Sequence, residues 1–121
     1  MNSALVADYL EQVWNQGRAD LVERFVAEDL IQHSPVMPDG RAGLIRVVES
    51  MHGASPEFRF ETHRIVAEGD LVFAHSLYAT GPDDPGTVVV DIYRIADGLI
   101  AEHWDVREQV PPATVNGHPI I

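Results

Sequence analysis

The 121-residue chain contains no cysteine, which excludes disulfides, thiolate nucleophiles and zinc–thiolate sites. Positive charge is scarce as well. Against 19 Asp+Glu there are 8 Lys+Arg, a formal net charge of −11, and so acidic a surface repels nucleic-acid phosphates. The acidic residues are scattered through the chain, as on a solvated surface that keeps a protein soluble. No apolar run approaches the ~18 residues of a membrane span. The opening MNSALVADYL has no basic segment leading into an apolar stretch, so no signal peptide is expected and a cytoplasmic location follows by default. A Gly-x-Ser-x-Gly elbow is missing, which argues against a serine nucleophile. No two histidines stand at HxH or HxxxH spacing, so neither a metal nor another cofactor is expected.

What is present is a globular composition, 45% hydrophobic and 22% charged, with no repeat, low-complexity tract or linker. One domain over residues 1–121 is expected, with 110–121 as an extended tail in which Pro111 and Pro112 forbid helix. Ser3 is a candidate cap for a first helix in which Leu5, Tyr9, Leu10, Val13 and Trp14 recur at helical spacing, ended by Gly17. Leu21, Val22, Phe25 and Val26 suggest a second, short helix. The segment IQHSPVMPDG is expected to be irregular because of Pro35, Pro38 and Gly40. A third helix fits Arg41 to Met51, with Leu44, Ile45, Val48 and Met51 as its stripe. Beyond Pro56, FRFETHRIVA, LVFAHSLYAT, TVVVDIYRIA and LIAEHWDVRE read as strands joined by hairpin turns. Helices followed by an antiparallel meander define an α+β fold, the three helices packed on one face of a curved sheet.

Side-chain alternation then predicts companions. Thr87, Val89, Asp91 and Tyr93 share one face, and Val88, Val90, Ile92 and Arg94 the other. A carboxylate among Val90 and Ile92 is the oddest choice in the chain, because burying it unpaired costs several kcal/mol. Pairing to Arg94 or Arg107, or simple exposure, is the ordinary alternative. His103 and Asp105 share a face of the last strand, and pairing across Ala96-Asp97-Gly98 brings Asp91 near one of them. Two carboxylates and an imidazole on a semi-apolar wall form an acid–base site, one acid raised in pKa by burial and by its neighbour. His75, which shares a face with Phe73 and Leu77, is either a pocket residue or a satisfied core histidine. His33 either lines the pocket or anchors its loop. Val88, Val90, Ile92, Trp104 and Val106 would form an apolar patch on the reverse side, suited to a second copy of the chain.

QHSP at 32–35, AEGDLV at 67–72, DIYR at 91–94, DG at 97–98 and EHWDV at 102–106, in this order of elements, resemble the SnoaL-like polyketide cyclases of the nuclear-transport-factor-2-like superfamily. The resemblance spans Leu5 to Gln109 and is most specific at EHWD. It implies an α+β cone with a deep pocket, a homodimer formed through the outer sheet face, and acid–base chemistry without metal or cofactor. Asp105 takes the family's acid–base position on the last strand, Asp91 a polar pocket position on the strand before, and His33 a polar position after the second helix.

Two functions remain open from the sequence. One is an enzyme acting on a small or medium carbonyl compound by cyclisation, isomerisation or elimination, with hydrolysis of an ester or epoxide by aspartate-activated water a further possibility in the same class. Its catalytic candidates are Asp105, Asp91, His33 and His103, with His75, Tyr93, Phe73 and Trp14 as substrate-binding candidates. The other is a non-catalytic, dimeric small-molecule-binding module of the same fold.

Overall fold

A computed structural model describes residues 1–121. Helix α1 (Asn2–Tyr9) continues directly into a wider π turn, Leu10–Asn15, marked by the bond from the Gln16 N–H to the Glu11 carbonyl at 2.9 Å. Leu10, Val13 and Trp14, three and four residues apart, are buried together on its inner side. The Trp14 carbonyl, in the last turn and so without an intrahelical partner, accepts a bond from His52 Nε2 at 2.6 Å. Ser3 does not cap this helix. The helix begins one residue earlier with no side-chain cap, and Asn2 Nδ2 donates instead to the Gly69 carbonyl.

A single 3-10 turn, Ala19–Leu21, leads into the short α2 (Val22–Phe25). Val26, expected on that helix, is already extended and opens strand β1 (Val26–Gln32). This strand corrects the sequence reading, which placed Ile31 and Gln32 in irregular chain. Val26 and Leu30, the buried residues of VAEDLIQ, are four apart and fit helical spacing as well as they fit a strand. What makes β1 a strand is tertiary: it pairs in parallel with the last strand, with a register shift between Val26 and Ile31.

Helix α3 runs Arg41–Ala54, three residues past Met51. Then β2 (Arg59–Glu68), β3 (Leu71–Ala79), β4 (Thr87–Ala96) and β5 (Leu99–Gln109) form the expected antiparallel meander. The strand order is β1-β5-β4-β3-β2, so the curved, open sheet is mixed at its β1 edge instead of wholly antiparallel. Residues 110–121 form no helix or strand. The helices lie on one face, and Val6, Leu10, Val13, Val22, Val26, Val48 and Val72, each at most 1% exposed, fill the space between the layers.

Two turns fix the strands that matter most. Asp97 (φ 53°) and Gly98 (φ 76°) are both left-handed, the requirement of a two-residue type I′ hairpin. With one register shift between Arg94 and Ile95, this turn sets Asp91 directly opposite Asp105. At the entry to β4, Gly86 has φ +104°, and a Cβ there would lie 2.7 Å from Leu77 Cδ1 and 3.1 Å from the Tyr78 carbonyl oxygen. Gly86→Ala is therefore expected to destabilise the fold by ~1–3 kcal/mol, read as a lower urea midpoint at unchanged slope.

Candidate active site

Alternation along β4 and β5 turns three consecutive rungs inward: Tyr93 beside His103, Asp91 beside Asp105, and Val89 beside Arg107. Successive rungs are ~7 Å apart along the strands. Together they form one wall of a cavity of ≈ 270 Å³, closed on the other sides by residues such as Tyr9, Trp14, Leu44 and Met51. Fifteen of its 20 lining residues are hydrophobic, so the polar groups are concentrated on this wall. Arg107 is the one cation in the lining.

His103 is held on three sides. Its Nε2 lies 2.7 Å from Asp91 Oδ1, its Nδ1 lies 2.7 Å from Gln32 Oε1, and Tyr93 stacks on its ring with centroids 4.9 Å apart. Both members of the His103–Asp91 pair are 5% exposed. Asp105, half-buried, completes a group whose ligand-type atoms all lie within 4.8 Å of one another. One imidazole and two carboxylates are also a donor set suited to a divalent ion, although here Nε2 is engaged with Asp91. On the helical side of the cavity, Trp14 Nε1 donates to the Tyr9 hydroxyl at 2.8 Å, and Tyr9 meets Tyr93 edge to face at 5.9 Å.

Burial pushes the Asp91 carboxyl above its ordinary value. The hydrogen bond and charge of His103 act against that rise, and the Asp105 carboxylate adds to it. Burial likewise raises the Tyr9 and Tyr93 phenols, so both stay protonated at neutral pH. The cavity lining thus holds two protonated hydroxyls together with an acid that gives up its proton reluctantly.

The structure gathers Asp91, His103, Asp105, Tyr93 and Trp14 at this cavity. It separates His33, His75 and Phe73 from it, and these expected placements are corrected. The His33 ring stacks on Trp104 at 4.9 Å, and its Nε2 lies 2.7 Å from Glu102 Oε2, on the reverse side of the sheet. Phe73 pairs with Ile92, and His75 with Val90, both on the face opposite Asp91. Arg64 Nη1 donates to His75 Nδ1 at 2.7 Å, which needs a bare nitrogen. Partial burial, then the charges of Arg64 and His63, lower the pKa of His75 accordingly. His75→Gln is expected to leave chemistry in the cavity within about twofold of wild type, since no contact links it to the opposite face.

Asp91 is neither exposed nor paired to Arg94, whose Nε bonds Glu102 Oε1 on the far side. Its partner is His103. Sequence reasoning missed Gln32 and Tyr9 at the site. Tyr9 carried only a helix-stripe signal, and Gln32 became visible only once β1 existed.

The chain matches the SnoaL-like domain over residues 6–103, and it belongs to that family. Its fold is similar to that of a loop-truncated variant of IdmH (25% identity, TM-score 0.75, covering 89% of this chain and 93% of that one). Wild-type IdmH, described as a candidate polyketide cyclase from Streptomyces antibioticus, matches at 22% identity and TM-score 0.74, covering 89% and 92%. A candidate polyketide cyclase from Bacillus cereus matches at 22% identity and TM-score 0.76, covering 88% and 74%. No curated protein matches the sequence.

Proposed function

We propose that the protein is a cofactor-independent acid–base enzyme that acts on a small or medium carbonyl compound bound in the cavity. The observation that carries this reading is the Asp91–His103–Asp105 cluster on the polar wall of a chamber that is otherwise mostly apolar. Asp105 faces the cavity without a side-chain donor of its own, and takes the proton α to the substrate carbonyl. The C–H pair becomes the enolate, and its oxygen receives the proton shared by Asp91 and His103. Return of the proton from Asp105 to a different carbon, with the proton on oxygen going back to the Asp91–His103 pair, gives isomerisation. Attack of the same carbon on a second carbonyl, whose oxygen takes the Asp105 proton, gives ring closure; departure of a β-substituent with that proton gives elimination, and in both the proton on the first oxygen returns to the Asp91–His103 pair.

The cavity lies just under the ~300–1,000 Å³ of pockets that hold drug-sized molecules, and its largely apolar lining suits a compact, mostly apolar ligand. Cyclisation of a polycarbonyl substrate agrees with the chemistry that the names of the similar structures suggest. The chain has no lysine, so a lysine Schiff base is not an alternative route to the same carbanion.

The second reading, a non-catalytic binding module, is favoured by the fully bonded His103, which could hold a ligand as a fixed polar anchor. Incubating the protein with ketones and keto esters in deuterated water separates the two. Catalysed α-proton exchange that Asp105→Asn lowers by ~10²–10⁴-fold supports the enzyme. Exchange at the buffer rate for every ligand that binds supports the binding module.

The reverse face of the sheet is proposed as the homodimer contact. Phe73 is 40% exposed and Val106 70%, with Val90, Ile92 and Trp104 half-buried between them. Val88, expected in this patch, is buried, and His33 covers part of Trp104. No helix is long and apolar enough to cross a membrane, and a cytoplasmic setting is proposed.

A further inference from the structure

Gln32 ends β1 at the position paired with His103 in the parallel β1–β5 ladder. The His33 N–H donates to the His103 carbonyl at 2.9 Å and holds the two backbones together there. Gln32 Oε1 sits between two nitrogens, the Ser34 backbone N–H at 3.0 Å and His103 Nδ1 at 2.7 Å. The Ser34 amide fixes which end of the Gln32 side chain lies here, since an NH₂ group would face a donor with a donor. An oxygen at that point obliges His103 to carry a proton on Nδ1.

The other ring nitrogen, Nε2, is then committed. It lies 2.7 Å from Asp91 Oδ1, a separation that requires one proton between them. That proton sits on the carboxyl, facing a neutral imidazole, or on Nε2, facing a carboxylate. Both arrangements leave the pair neutral overall, which is how a pair 5% exposed avoids an unpaired buried charge. Stacking against Tyr93 keeps the ring from turning over. The charged and titratable groups that face the pair are Asp105, Arg107, Tyr9 and Tyr93.

We infer that Gln32 is a positioning residue that sets the His103 tautomer, so that Nε2 and Asp91 share a single transferable proton. Its catalytic consequence rests on the acid–base function proposed above, whereas the tautomer itself does not. Without the Gln32 oxygen, a proton on Nδ1 would be buried unpaired; the neutral ring would instead carry its single proton on Nε2 and donate it to Asp91 Oδ1, the carboxyl proton moving to Oδ2 so that the pair stays neutral. The pair would still be bonded, but the ring would lose the bare nitrogen that Asp91 protonates.

Long-range proton–nitrogen correlation spectra of histidine-labelled protein at neutral pH test this directly. Wild type is expected to show His103 protonated at Nδ1. Gln32→Met, similar in volume but with no acceptor, is expected to move that proton to Nε2. Gln32→Glu, which restores an oxygen, is expected to keep it on Nδ1. In the exchange assay Gln32→Met should lower kcat by ~10-fold or more with KM within about threefold, the pattern of a misaligned proton donor. A bare Nδ1 in wild type, or an unmoved proton in folded Gln32→Met, overturns the inference. The wild-type spectrum decides even if Gln32→Met does not fold. Absence of exchange by wild type would count against the proposed function and leave the spectra to judge Gln32 alone.

Discussion

Asp91→Asn is expected to abolish nearly all turnover while leaving the fold intact or more stable. The amide can still donate to His103 Nε2, so the 2.7 Å contact is kept in kind. It cannot release a proton, and loss of a positioned proton donor costs ~10²–10⁴-fold in rate. The stability effect has a defined sign. Because burial raises the Asp91 pKa in the folded protein, the folded state keeps this proton at pH values where the unfolded chain has lost it. Stability therefore falls as pH rises from the ordinary aspartate value through the raised one. The amide variant has no such slope, so its melting temperature should gain on that of wild type between about pH 4 and pH 7. Parallel melting curves at both pH values, combined with the exchange assay, check the two halves separately. Equal pH slopes in the two proteins would mean that the Asp91 carboxyl is not held protonated by burial.

The largest stability effect is expected at Trp14. Its ring is 8% exposed, lies 6.4 Å from that of Phe60 and donates to the Tyr9 hydroxyl at 2.8 Å. Trp14→Ala removes the buried ring and leaves space that the π turn is poorly placed to close, a change worth ~3–5 kcal/mol. That is a large share of the ~5–15 kcal/mol by which domains are stable, and it should appear as a much lower urea midpoint. Trp14→Phe, which fills most of the volume but drops the Nε1 donor, should recover more than half of the loss. If both variants lose the same amount, the bond to Tyr9 and not the packing is what counts.

The inward face of β4 and β5 was legible in the sequence because alternation is strict there. Asp91, Tyr93, His103 and Asp105 share one parity, and the Asp97-Gly98 turn leaves little freedom in their register. The same rule misplaced His75 and Phe73. Parity groups the residues of one strand, but it does not say which group faces the helices. On β3 that choice is settled by pairing to β4, where His75 meets Val90 instead of Asp91. His33 was misplaced for another reason. It follows directly after a strand that local spacing could not reveal, and Gln32, one residue earlier, points to the opposite side and supplies the contact to His103. β1 exists because β5 offers it a partner, a long-range fact with no signature in VAEDLIQ itself. The π turn is similar: Leu10, Val13 and Trp14 announce a buried stripe, while nothing in their spacing distinguishes a π turn from an α-helix.

Asp91 and Asp105 side by side on one wall of a largely apolar chamber is the feature on which the chemistry depends, and carboxyl-carbon titration by nuclear magnetic resonance addresses it most directly. Asp91 should titrate above the ordinary aspartate range, and its midpoint should fall when Asp105→Asn removes the neighbouring charge. An Asp91 that titrates as a free aspartate, indifferent to residue 105, would contradict the buried proton-sharing cluster and the acid–base function proposed from it.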